Sequence, residues 1–255
     1  MRSRRSAPGC TLALLAFGLL LLLVWSPLSG EDSTSEPAAP LPPPSVSLAP
    51  ESPEPDVSAT RAESPAPADR PRSGTIESAK AALPGLAVKG RAPLTDYDRE
   101  AFGTPWSDVN DNGCDTRNDI LRRDLTDKVV EDCVVMSGVL EDPYSGRRIA
   151  FQRGPVSSLE VQIDHVVSLS NAWQTGAKYW TDRKRERFAN DRRNLLAVRG
   201  DLNMSKGDGD AATWLPPKKS FRCTYVALQV LTKARYDLWV TPAEQQAMAR
   251  ILEDC

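Results

Sequence analysis

Apolar residues recur along this chain in two ways, at helical intervals toward its end and in short strand-like runs before that. In SFRCTYVALQVLTKARYDLWV, residues 220–240, they return every three or four positions, which predicts a helix. The next segment, TPAEQQAMARILEDC, opens with Thr241, Pro242 and Glu244, the pattern of a capping box with proline in the first turn. Upstream, VVMSGVL and RRIAF read as strands, and DPYSG between them supplies proline and glycine where a tight turn needs them, so a hairpin is predicted. VQIDHVVSL follows as a further strand-like run, SNAWQTGA turns helical before Gly176, and TDRKRERFAN reads as a polar-capped helix. NLLAV is a short strand ending at Gly200, and DLNMSKGDGDAATWLPP holds a short helix that stops by Pro216 and Pro217. Closer to the N-terminus, TIESAKAALPGLAVKG predicts a helix broken near Pro84 and Gly85. NDNGCD is turn chemistry, and Ile120, Leu121 and Leu125 give TRNDILRRDL helical spacing. The mixture predicts one α+β domain over residues 76–255, without internal repeats.

The first 75 residues follow different rules. Residues 1–30 carry three arginines, then the apolar run TLALLAFGLLLLLVW, then small residues, which is the layout of a secretory signal peptide. The run from Thr11 to Trp25 is shorter than the ~20 residues that cross a bilayer comfortably, which favours cleavage over an uncleaved signal anchor. Leu28 is a mediocre residue for cleavage before Glu31, so membrane anchoring stays the rival expectation. Residues 31–75 hold 11 of the chain's 21 prolines and no aromatic residue, so they cannot bury enough apolar surface to offset ordering entropy. They read as a disordered proline-rich spacer.

Charge narrows the possible partners. The spacer carries eight acidic residues against three basic, whereas residues 76–255 carry 26 of each sign. A domain that depends on affinity for nucleic acid is usually clearly basic, so contact with it here must rest on local patches. The densest is KYWTDRKRERFANDRRN, residues 178–194, with seven basic and three acidic side chains; the plain alternative is a solvated helix face. With Cys10 in the leader, Cys114, Cys133, Cys223 and Cys255 remain, an even set suited to disulfides in an exported domain. Of the three pairings, Cys114 with Cys133 and Cys223 with Cys255 each bracket one local unit. Zinc is the alternative, but the spacings are long and the chain's one histidine cannot complete a zinc knuckle.

That histidine, His165, follows Asp164 within IDHVVSL. Downstream come Asn194 before LLAV, then Asn203 and Lys206 in N-x-x-K. Singly, each has an ordinary reading as a core, turn or helix-surface residue. Together, D-H on a strand, N at a second strand and N-x-x-K on a helix resemble the ββα-metal core of HNH endonucleases. CDTRNDILRRDL, the DPYSG hairpin, FANDRRNLLAV and TWLPP extend the likeness to secreted actinobacterial HNH-family proteins related to the DUF1524 domain. The resemblance covers nearly all of residues 76–255. It implies an HNH-type ββα-metal core with an N-terminal helical and hairpin extension and C-terminal helices.

The resemblance further implies an exported endonuclease with His165 as general base and Asp164 and Asn203 as ligands of Mg²⁺ or another divalent cation. Asn194 would orient the histidine, and Lys206 would contact phosphate or the transition state. The residue types suit that chemistry. Phosphodiester hydrolysis needs an activated water and a cation for the growing charge. Imidazole, with an ordinary pKa of ~6.5, is a proton acceptor near neutral pH. Arg117 and Arg122 are candidates for gripping the substrate backbone, and Trp173, Trp214 and Trp239 for stacking on bases. Trp214, beside Leu215 and two prolines, also suits a core seal. The expected partner is nucleic acid, DNA before RNA and with low sequence specificity, and no protein partner is predicted. Rival readings are a non-catalytic envelope protein on a degenerate nuclease fold, and a toxin that shares the chemistry but needs an immunity partner.

Overall fold

The computed structural model describes residues 73–155 and 157–255. The signal peptide expected at residues 1–30, Cys10 and the spacer up to residue 72 lie outside the described residues. Among those described, no helix is long and apolar enough to cross a membrane.

The architecture is α+β. Helix α1 (Ser73–Ala82) runs into a 3₁₀ turn at Leu83–Gly85, where Pro84 interrupts it as the sequence predicts. After a loop with a second 3₁₀ turn (Arg99–Phe102) comes α2 (Thr116–Asp124), capped by Asp115, whose carboxylate accepts from the Asn118 backbone N–H. Strands β1 (Leu125–Glu131), β2 (Val134–Glu141) and β3 (Arg148–Gln152) form an antiparallel sheet in that order. The β2–β3 hairpin turns at DPYSG as expected, with the Gly146 N–H donating to the Asp142 carbonyl at 2.7 Å. Strand β1 is absent from the sequence reading, because all of it but Leu125 and Val130 is exposed and the apolar alternation that marks a half-buried strand is missing.

A short helix α3 (Ser157–Glu160) leads to β4 (Val161–His165), which pairs antiparallel with β5 (Leu195–Arg199) as a separate two-stranded ribbon. Between them lie α4 (Leu169–Gln174) and α5 (Asp182–Ala189), and α6 (Gly200–Lys206) follows β5 directly. The run VQIDHVVSL is therefore shorter as a strand than its apolar content predicts. It ends at His165, and Val166 and Val167 are buried in the turn that leads to the Ser168 cap of α4. Gly200 makes the β5–α6 joint possible, since a Cβ there would stand 2.0 Å from the Leu159 carbonyl.

Two cores enclose the ribbon. Side chains alternate across a strand, so Val161, Ile163, Leu195 and Ala197 join Ile120, Leu121, Leu125, Val135, Leu140 and Phe151 on one side. Leu196 and Val198 face the other core, formed with α1, α7 (Arg222–Tyr236) and α8 (Pro242–Glu253). The capping box of α8 is present, with Thr241 and Glu244 each bonding the other's backbone N–H. A third cluster packs Phe102, Trp173 and Phe188 under the loop of residues 97–106.

Disulfides join Cys114 to Cys133 and Cys223 to Cys255, the two pairings that bracket local units. The second ties the last residue to the first turn of α7 across 32 residues. Closing a loop of that length restricts the unfolded chain by about 3–4 kcal/mol. Cys255→Ser is expected to lower unfolding free energy by roughly that amount, read from urea titration with Cys114–Cys133 intact, and a loss below ~1 kcal/mol would contradict the assignment.

Candidate active site

The ribbon and α6 assemble the residues singled out by the sequence, but not as one ring. Cross-strand pairing sets Asp164 opposite Leu196 and His165 opposite Leu195, so the two neighbours face the two different cores. Asp164 turns toward α6. Its Oδ1 accepts from Lys206 Nζ at 2.9 Å, and its Oδ2 accepts a short hydrogen bond from the Tyr144 hydroxyl. Lys206 also donates to the backbone carbonyl of His165 at 2.8 Å. All three side chains are buried. Burial raises the Asp164 pKa above the usual carboxylate value, opposed by the Lys206 charge and the Tyr144 hydrogen bond. The Tyr144 hydroxyl is held well above its ordinary pKa, first by burial and then by the neighbouring Asp164 charge, so it is a donor only.

His165 looks the other way. Its Nε2 lies 2.7 Å from the Ala189 carbonyl. A carbonyl can only accept, so this is the Nε2–H tautomer and Nδ1 carries the lone pair. Trp106 stacks on the imidazole with ring centroids 6.0 Å apart and an interplanar angle of 18°. Arg99, Thr104, Pro105 and Asn190 line the small pocket beside it. The ring's pKa is lowered from 6.5 to about 3, chiefly by burial, with the Ala189 hydrogen bond opposing and the charges of Arg99 and Lys206 contributing.

That depression makes a pH prediction. The unfolded histidine binds a proton near pH 6.5 and the folded one only near 3, so its contribution to stability is present above pH 6.5 and is lost as pH falls toward 3. Between pH 7 and 4.5 the expected loss is about 2–3 kcal/mol. Asp164 and Glu244, both raised by burial, act in the opposite sense, their contribution being lost as pH rises. Comparison with His165→Gln therefore isolates the histidine. Urea unfolding of chelator-treated protein should show a shallower acid loss in the variant, and identical pH slopes would refute the assignment.

Asn194 is fully buried and clamps the turn that follows His165. Its Oδ1 accepts from Val167 N at 2.8 Å, its Nδ2 donates to Val167 O at 3.1 Å, and its own carbonyl accepts from Val166 N at 2.8 Å. Those bonds fix where β4 ends and hence where the imidazole points. Asn203, half-buried on α6, donates from Nδ2 to Gln162 Oε1 at 2.9 Å and so lies over the Asp164 face of β4. Arg117 and Arg122 are engaged away from that face. Arg117 donates to the Val161 carbonyl at 3.2 Å, and Arg122 pairs with Asp119 at 2.9 Å.

Three residues beside the site escaped the sequence reading. Tyr144 sits in the hairpin turn, Trp106 in a loop 59 positions before His165, and Arg99 in a 3₁₀ turn; none carries a local signal of its partner. Trp214 packs edge-on against Tyr144 and Tyr225, which makes it a core seal, and Trp173 packs on Tyr97 and Phe102. Trp239 donates to the Gly90 carbonyl.

Among the described residues no group of three or more His, Cys, Asp or Glu side chains is placed to hold a metal. Asp164 and Asn203 remain as a carboxylate and an amide on one side of β4. They are hard oxygen donors suited in kind to Mg²⁺, which takes few protein ligands and keeps several waters. The Asp164 oxygens are already engaged by Lys206 and Tyr144, so a cation would share that carboxylate with the ammonium or displace it.

The family described as GmrSD restriction endonucleases, C-terminal domain, matches residues 115–251. An uncharacterized secreted protein of Arthroderma benhamiae is 39% identical over 202 residues, spanning 78% of this chain and 94% of its own. No solved structure matches.

Proposed function

The chain belongs to the family of GmrSD restriction endonucleases, C-terminal domain, and on that premise we propose that it is an exported, metal-dependent endonuclease of HNH type that hydrolyses phosphodiesters, DNA foremost. The family carries the nuclease-related function, with nucleic acid as the implied substrate. The finer reading is supported by one observation above others: β4, β5 and α6 form an antiparallel ribbon followed at once by a helix, with Asp164, His165, Asn194, Asn203 and Lys206 all on it or at its ends. That is the order in which a ββα-metal nuclease presents its residues. Export is supported by the two disulfides, by the leader-like residues 1–30, and by a relative whose name describes a secreted protein.

In this reading Asp164 and Asn203 would hold a divalent cation on one side of the end of β4, where it would neutralise charge on the phosphate oxygens, and His165 would approach the water from the other side of the phosphate. His165 would accept a proton at Nδ1 from the attacking water as the new P–O bond forms, while the bond to the leaving oxygen breaks and that oxygen takes its proton from bulk water. Its Nε2–H stays bonded to Ala189, which keeps the ring oriented throughout. Asn194 keeps the end of β4 rigid, and Lys206 and Tyr144 orient the Asp164 carboxylate. Arg99, exposed beside His165, is placed to meet a phosphate, a role the sequence reading gave to Arg117 and Arg122.

A second reading, a non-catalytic binding protein on a degenerate nuclease fold, is favoured by the engagement of both Asp164 oxygens and by Trp106 over the imidazole. One assay separates them. Disulfide-intact protein is incubated with supercoiled plasmid and Mg²⁺ or Mn²⁺, with and without chelator. Nicking that the chelator abolishes is expected, and no cleavage under any divalent ion favours the binding protein.

A further inference from the structure

We propose a second cation site, of the calcium class, in the loop from Asp108 to Asp119. The sequence there is DVNDNGCDTRND. Twelve-residue calcium loops take ligands from positions 1, 3 and 5, from the backbone carbonyl at 7 and from a carboxylate at 12, with glycine at 6 for the sharp turn. Counting from Asp108 as position 1, those places hold Asp108, Asn110, Asn112, Cys114 and Asp119, with Gly113 at the sixth. Every side-chain ligand position carries an oxygen-bearing group, and glycine stands where the turn requires it. Turn composition alone explains NDNGCD but gives no reason for an acidic residue eleven positions after the first.

The folded loop brings the same positions together. Gly113 has φ +81°, a conformation that favours glycine. Helix α2 begins at the ninth position and carries Asp119 in its first turn, 4% exposed, with its carboxylate toward the loop. Asn110 Nδ2 lies 3.0 Å from Asp119 Oδ2, and Asn112 Nδ2 lies 3.0 and 3.1 Å from its two oxygens. Asp108 accepts from the backbone N–H groups of Asn112 at 3.2 Å and Gly113 at 2.8 Å. The Cys114–Cys133 disulfide pins the seventh position.

A carboxamide that reaches a carboxylate through nitrogen reaches a cation through oxygen after half a turn of its terminal torsion. Both carboxamide oxygens now accept within the loop, Asn112 Oδ1 from Cys114 N at 2.9 Å and Asn110 Oδ1 from Asn112 N at 3.3 Å, so presenting them to a cation gives up those two turn bonds in exchange for two ligand contacts. Arg122, 2.9 Å from Asp119 Oδ1, and Arg192, 3.9 Å from Oδ2, neutralise the carboxylate from outside the loop and compete with a cation. Two carboxylates among neutral donors, with that competition, place the affinity in the weak range of extracellular modules, Kd about 10⁻⁴–10⁻³ M. Occupancy would reach the active site. Thr116 N donates to Trp106 O at 3.1 Å and its Oγ1 to Ser107 O at 2.6 Å, so the loop holds the tryptophan that stacks on His165.

The test uses the full disulfide-intact chain, stripped with chelator and titrated with CaCl₂ by calorimetry and by thermal unfolding, with MgCl₂ in parallel. Binding in the stated range is expected, with Tm rising by about 3–6 °C at ten times Kd and a smaller response to Mg²⁺. Asp108→Ala, an exposed position whose loss leaves the core untouched, should weaken binding at least tenfold, while Arg122→Gln should tighten it. Asn203→Ala separates this site from the proposed nuclease centre and should leave the Ca²⁺ response in place. No heat and no Tm shift up to 10 mM Ca²⁺ (roughly ten times the weakest expected Kd) would overturn the proposal. So would a response that survives Asp108→Ala or disappears in Asn203→Ala.

Discussion

His165→Ala is expected to slow phosphodiester cleavage by about 10²–10⁴-fold, the range that a positioned general base contributes. The imidazole is the only one in the chain, so no second histidine can substitute for it. The fold keeps it neutral. Burial holds its pKa near 3, so it is unprotonated over the whole physiological range. Its Nε2–H is committed to Ala189, which leaves Nδ1 as the basic atom. A consequence for pH profiles is that kcat/KM, which reports the free enzyme, should show no acid limb at the ordinary histidine value. The measurement is initial nicking rate for wild type, His165→Ala and His165→Gln, with circular dichroism to verify the fold. A rate within threefold of wild type in folded His165→Ala would remove the histidine from the mechanism.

Lys206→Met carries the largest expected effect on stability. The ammonium is completely buried against Asp164, and removing one partner of such a pair leaves the other as an uncompensated charge, at about 3–5 kcal/mol. For a chain of this size that corresponds to a Tm lowered by roughly 10 °C. Tyr144 supplies Asp164 with one more hydrogen bond, which softens but does not replace the loss. Asp164→Asn alone should be costly for the mirror-image reason, since it strands the ammonium. The double variant, with neither charge, is expected to recover much of the stability, because replacing a whole buried pair is often close to neutral. A double-mutant cycle in urea reads the coupling directly. Single and double variants that simply add would mean that the two groups do not interact in solution as they do in the fold. Cleavage activity should stay lost in the double variant even as stability returns, which separates the structural role of the pair from its proposed catalytic one.

The sequence was most informative where the cause of structure is local. Thr241, Pro242 and Glu244 set the start of α8 through bonds spanning three residues, and the structure forms both of them. Asp142 to Gly146 turn the β2–β3 hairpin for the same kind of reason. Strand β1 was missed, since a strand with most side chains in solvent carries no apolar alternation to read. IDHVVSL erred in the other direction. Val166 and Val167 are apolar because they are buried in a turn held by Asn194, and burial in a turn leaves the same mark on composition as burial in a strand.

For the candidate site, the sequence by itself supplied the candidates: Asp164, His165, Asn194, Asn203 and Lys206 stand out through their likeness, in residue type and order, to HNH endonucleases, and order along the chain is a one-dimensional fact. What those side chains face was decided only in three dimensions. Strand alternation sends Asp164 toward α6 and His165 toward the other core, and the partners waiting there come from distant segments: Tyr144 from a hairpin turn, Trp106 from a loop, Ala189 from the end of α5. Burial by those partners shifts both proton affinities away from their ordinary values. Desolvation depends on everything packed around a group, and no window of sequence contains that information.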